Sequence, residues 1–218
     1  GLARTRHMKP WVFLDLDGTL IDSAVGITRS IAYALEKVGH APLPEAQLLG
    51  WIGPALRTSF APLLGDAARV EQAVAAYLER FEQLGWREHT IYPGIESALT
   101  ALHDQGARLC LVTAKNEPHA RRILAHAPFG DLFDEIVGAT LDGSRSHKPQ
   151  LVAEALHRTG AAPDDAVMVG DRHFDIEGAH HHGMDSAGVL WGFGSEAELR
   201  AAGAGRLLKS PRELAEWG

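Results

Sequence analysis

From Tyr92-Pro93-Gly94 onward, strand-sized apolar runs alternate with helical stripes. That alternation restricts the chain to a parallel sheet covered by helices on both faces. Residues 109–113, 135–138, 166–170 and 187–190 are short apolar runs without helical period and read as buried strands. Between them, the stripe Ile95, Ala98, Leu99, Leu102 ends at Gly106, and segments 118–127 and 149–158 each open with proline. These, with segment 174–182, predict helices. One further strand, 11–15, lies far upstream and runs into the turn residues Asp17-Gly18-Thr19.

The stretch separating that strand from the rest has helical spacing: Ile27, Ile31, Leu35 and Val38 before Gly39, then Val70, Val74, Tyr77/Leu78, Phe81 and Leu84 before Gly85. No strand is read in it. The expected fold is therefore α/β: a doubly wound parallel sheet of about five strands, the first one central, with an all-helical cap inserted after it. Segments 8–21 and 91–218 form the core and 22–90 the cap. Ser195 with Glu198 and Ser210 with Glu213 read as capping boxes of two short final helices. Residues 1–7 are polar and basic, and read as a cloning remnant ahead of Met8.

Composition excludes several classes. The formal net charge of −7 is the wrong sign for neutralising phosphates along a nucleic acid. A single cysteine, Cys110, leaves no internal disulfide and no Cys-rich zinc site, which fits a reducing cytoplasm. No apolar run approaches the about 18 residues a membrane helix needs. No sustained heptad marks a dimer seam, so oligomeric state stays open and a monomer fits.

The polar residues fall where an open parallel sheet binds ligands, beyond the carboxyl ends of its strands. Asp15 and Asp17 follow the first strand, Thr113 ends the second, and Asp171 follows the fourth, with Asp175 four residues on. Lys148 precedes a helix. Carboxylates converging from separate strand ends make an all-oxygen cluster suited to a hard cation such as Mg²⁺. Lysine, hydroxyl and helix N-terminal amides beside it offer an anion seat. Together they describe a phosphoryl site.

Asp15-Leu-Asp-Gly-Thr19, Thr113, Lys148 and Gly170-Asp-Arg-His-Phe-Asp175 resemble the four ordered motifs of the haloacid dehalogenase superfamily. Thr113-Ala-Lys-Asn116, Leu141-Asp-Gly143 and Trp51-Ile-Gly-Pro54 look most like its phosphoglycolate-phosphatase-like branch. The resemblance implies that Asp15 is the nucleophile, forming an aspartyl-phosphate, and that Asp17 is the general acid and then base. It implies that Thr113, Ala114, Gly18 and Lys148 hold the phosphoryl group. Mg²⁺ is implied to sit on Asp15, Asp171 and the backbone carbonyl of Asp17, with Asp175 as an orienting acid. The implied activity is hydrolysis of a small phosphorylated metabolite: phosphoglycolate first, a nucleoside monophosphate second.

Other chemistries on this scaffold are weighed by single residues. A dehalogenase lacks the second acid, so Asp17 argues against it. A phosphonatase needs a cap lysine, and Lys37 is the only one between 22 and 90. A sugar-phosphate mutase keeps every core motif. A non-catalytic phosphate-binding module would be expected to have lost some. His180-His-His182 reads as surface, because three consecutive helical side chains diverge. Arg57, near the cap turn at Trp51, is a candidate to meet a substrate carboxylate or phosphate.

Overall fold

The computed structural model describes residues 9–216, so the proposed cloning remnant, 1–7, lies outside the described residues. In chain order the elements are β1 (Trp11–Leu14), β2 (Ile21–Asp22), α1 (Ala24–Lys37), α2 (Glu45–Leu49), α3 (Leu56–Leu64), α4 (Ala67–Gln83), β3 (Thr90–Ile91), α5 (Ile95–Asp104), β4 (Arg108–Asn116) and α6 (Glu117–Ala125). There follow β5 (Phe133–Ala139), α7 (Lys148–Thr159), β6 (Ala166–Gly170), α8 (His173–His181), β7 (Asp185–Val189), α9 (Glu196–Ala201), β8 (Leu207–Leu208) and α10 (Arg212–Ala215).

Among the described residues, six parallel strands form one sheet in the order β5-β4-β1-β6-β7-β8. The sixth strand beyond the expected five is β8, a two-residue edge too short to leave a sequence pattern. Strand alternation sorts the core into two layers. Val12, Leu14, Leu109, Leu111, Val167 and Val169 face one layer, which continues into the helical insert through Ile31, Phe60 and Phe81. Phe13, Cys110, Val112 and Met168 face the other, against Leu151, Val152 and Ala155 of α7. Both faces are therefore apolar, as a buried parallel sheet requires.

The insert leaves and re-enters the core side by side. Ile21 pairs with Ile91 and Asp22 with Thr90 in an antiparallel ribbon, β2-β3. This ribbon replaces the strand-free reading at its first residue, Asp22; two-residue strands carry no readable alternation. Within the insert, α1 packs on α4 and α3 on α4. The two short helices α2 and α3 lie in the stretch that glycine and proline punctuate, which is why it has no long helical stripe. At the C-terminus, Ser195 caps α9 by accepting the Glu198 N–H, as expected. Ser210 does not cap α10: Pro211 holds that position, and the Glu213 carboxylate instead accepts the Lys209 N–H. No helix of the described residues is long and apolar enough to cross a membrane.

Candidate active site

The order of strands reverses at β1: the chain moves from β1 to β4 and β5 on one side, then returns to β6 on the other. The crevice at such a switch point is where the loops after β1, β4 and β6 meet. Asp15 follows β1, Thr113 lies in β4 and Asp171 follows β6. Asp15, Asp17, Thr113, Lys148, Asp171 and Asp175 are all buried. One carboxylate oxygen from each of Asp15, Asp171 and Asp175 lies within 4.8 Å of the others.

Lys148, the first residue of α7, is the hub of the cluster. Its ammonium lies 3.2 Å from Asp15 Oδ2, donates to Asp175 Oδ1, and donates to the Val112 carbonyl at 3.3 Å. Burial alone would lower its pKa, but the pairs with Asp15 and Asp175 outweigh that and hold it above the ordinary lysine range. Burial pushes Asp15 well above the usual carboxylate range; Lys148 opposes this, while Asp175, Asp171 and Asp17 reinforce it. Burial, then Asp175, raise Asp171 to about 7, against the Phe193 amide that donates to its Oδ2 at 2.9 Å.

Asp175 has both oxygens engaged. Lys148 takes Oδ1, and the Arg172 N–H donates to Oδ2 at 3.1 Å, in the first turn of α8. Gly18 lies in the tight turn after Asp17. Its N–H donates to the Ile21 carbonyl at 2.9 Å, so its amide is used within the turn. Its missing side chain matters more: φ is +82°, and a Cβ there would stand 2.0 Å from Asp171 Oδ2.

Asp17 faces a cleft between core and insert that Asp15, Thr113, Ala114, Trp51 and Tyr77 also line. Its Oδ1 is buried with no hydrogen-bond partner, and its Oδ2 lies 3.4 Å from Lys115 Nζ. Lys115 is a second lysine at the site, half-buried with its side chain 6% exposed, and the sequence motifs assign it no role. Its ammonium sits 4.0 Å from the Phe81 ring centroid, and His119 lies against the same ring. Burial, with Lys115 and Arg122 adding, lowers His119 to about 4, so it stays neutral at neutral pH. Lys115 lies two residues after Thr113, within β4.

Arg57 also lines the cleft, but its guanidinium grips Glu71 of α4 at 2.7 and 2.9 Å and donates to the Leu141 carbonyl at 3.0 Å. Meeting a substrate anion would require giving up that pair. The histidine run stays at the surface, where His180 pairs with Ser186 and His182 with the Pro149 carbonyl.

Four carboxylates (Asp15, Asp17, Asp171, Asp175) against two ammonium groups (Lys115, Lys148) leave a formal charge of −2. One divalent cation cancels it. An all-oxygen donor set with net negative charge is what a hard divalent ion takes.

The profile of the haloacid dehalogenase-like hydrolases matches residues 12–189, and the chain belongs to that family. Over 193 residues it is 42% identical to a 5'-nucleotidase of Pseudomonas aeruginosa, covering 88% of this chain and 87% of that one. It is 43% identical to the tyrosine-protein kinase PtkA of Mycobacterium tuberculosis, over 84% of this chain and 62% of PtkA. It is 32% identical to a phosphoglycolate phosphatase of Aquifex aeolicus, over 84% and 85%. A solved structure described as a predicted phosphatase from Clostridium acetobutylicum superposes with a TM-score of 0.92 at 38% identity, covering 96% of this chain and 98% of that one.

Proposed function

We propose that this chain, a phosphoric monoester hydrolase, cleaves a small phosphorylated metabolite through an aspartyl-phosphate on Asp15, with Mg²⁺ held by Asp15, Asp171 and the backbone carbonyl of Asp17. The observation that carries this reading is the convergence of Asp15, Lys148 and Asp171 on one buried spot beside an open cleft that Asp17 also faces. When bound, the cation offsets the carboxylate charge and polarises the phosphoryl oxygens. The rest falls to side chains. Asp15 attacks phosphorus while Asp17 protonates the departing ester oxygen. Asp17, now a carboxylate, takes a proton from water, which displaces Asp15 and releases inorganic phosphate. Lys148 and Thr113 hold the phosphoryl oxygens in both displacements. The partnerless Oδ1 of Asp17 is the oxygen free for this proton traffic.

Phosphoglycolate is the substrate that the motif resemblance implies. A nucleoside 5'-monophosphate is the second reading. Two observations favour it: the higher identity to the 5'-nucleotidase, and the aromatic walls that Trp51 and Tyr77 give the cleft, on which a base can stack. Phosphate release from a panel containing both, with an aryl phosphate as generic control, decides the substrate. Free phosphate without a phosphorylated product rules out a mutase. No release from any member, with Mg²⁺ present, refutes the phosphatase reading.

A further inference from the structure

Two arginines cross the cleft in opposite directions. Arg57 reaches from α3 to the core carbonyl of Leu141. Arg172, the residue after Asp171, reaches from the core to the cap turn that follows α2. Its Nη1 donates to the Ile52 carbonyl at 2.6 Å and to the Gly50 carbonyl at 3.2 Å. Its Nε donates to Glu198 Oε2 of α9 at 2.8 Å, with only 11% of the arginine side chain exposed. The turn lies flat on the arginine's stem. At Gly53 φ is +119°, and a Cβ would fall 2.9 Å from Arg172 Cγ. That same turn, from Trp51 to Ala55, forms a wall of the cleft opposite Asp15 and Asp17.

We propose that Arg172 is a positioning residue that clamps the cap turn over the cleft, and through it sets how tightly the non-phosphoryl part of the substrate is held. The proposal rests on the phosphatase reading above and adds a residue to it. Arg172 touches neither the nucleophile nor the acid. The geometry needs a guanidinium: Nε serves Glu198 on one side while Nη1 serves two carbonyls on the other, and a single ammonium nitrogen cannot do both. Charge-assisted bonds shielded from water are the strong ones. Placing the clamp directly after Asp171 also ties cap position to the loop that carries a site carboxylate. The Arg172 N–H that supports Asp175 belongs to the backbone and survives any change of side chain.

The test compares Arg172→Ala, Arg172→Lys and Glu198→Gln with the wild type. The first readout is hydrogen exchange of the backbone amides over residues 50–56. The second is kcat and KM for phosphoglycolate, adenosine monophosphate and p-nitrophenyl phosphate. The alanine variant should exchange faster across 50–56. Its KM should rise about tenfold or more for whichever metabolite the wild type prefers, the scale of losing charge-assisted hydrogen bonds. Turnover of the aryl phosphate at saturation should change little. The lysine variant should keep most of the defect, and Glu198→Gln should move both readouts in the same direction. Unchanged exchange and KM in the alanine variant overturn the clamp. So does a lysine variant equal to wild type, because the residue would then act only through its charge on Asp171. If the alanine variant fails to fold, the other two decide by the same readouts. A wild type that hydrolyses nothing defeats the phosphatase reading, while the exchange data still judge the clamp.

Discussion

Replacing Lys148 with methionine keeps the stem and removes the charge at the centre of the carboxylate cluster. The ammonium contacts Asp15 at 3.2 Å, Asp175, and the Val112 carbonyl, and only 4% of the residue is exposed. Stranding buried charges in this way costs about 3–5 kcal/mol. At about 2–4 °C per kcal/mol for a chain of this size, Tm should fall by roughly 6–20 °C. The loss should depend on pH with a definite sign. Asp15 and Asp171 already have folded-state pKa values above the unfolded one, Asp171 at about 7. A carboxyl raised in this way binds protons more readily in the folded state, so its contribution to stability is lost as pH rises from about 4 toward 7. Removing Lys148 raises Asp15 further. The deficit of the variant should therefore be small at pH 5, large at pH 8, and narrowed at pH 8 by Mg²⁺. Thermal melts of both proteins at the two pH values, in chelator and in Mg²⁺, measure this. A deficit below about 1 kcal/mol at pH 8 in chelator, or one equal at both pH values, would refute the reasoning.

Three further outcomes are expected. Asp17→Asn should lower kcat by about 10²–10⁴, and less on an aryl phosphate, whose leaving group needs little proton assistance; steady-state kinetics on alkyl and aryl esters would expose an equal loss on both. Gly18→Ala should raise the Mg²⁺ concentration needed for half-maximal activity, because its Cβ would stand 2.0 Å from Asp171 Oδ2; a metal titration indistinguishable from wild type contradicts that placement. Chelator should abolish turnover, Mg²⁺ should restore it, and Ca²⁺, with its looser and larger shell, should inhibit, as phosphate-release assays in each ion will show.

Local pattern carried most of the fold because short apolar runs, helical spacing and glycine or proline punctuation are local properties. Residues 166–170, an apolar run without helical period, form β6 with the same bounds. What escaped was either too short or too distant. The pairs β2-β3 and β8 have two residues per strand, below the length at which period-2 alternation exists. Helix α3 holds Pro62 and follows Gly53-Pro54, so no apolar stripe announced it. In the site, the residues placed at strand ends were readable from topology alone. Lys115 and Arg172 were not, because their meaning lies in partners far along the chain: Asp17 for one, the Gly50 and Ile52 carbonyls for the other. Arg57 shows the reverse case. Its position by the cleft was legible, but its pairing with Glu71 was not.

The central claim is that Asp15 carries the phosphoryl group covalently. The most direct measurement is acid quench of the enzyme during turnover of its best substrate, followed by borohydride reduction and peptide mass spectrometry. An aspartyl-phosphate is reduced by borohydride to homoserine, so position 15 should appear as homoserine in the turning-over wild type and remain aspartate without substrate. Unmodified Asp15 under conditions of steady phosphate release, or the modification on Asp17 instead, would contradict the account.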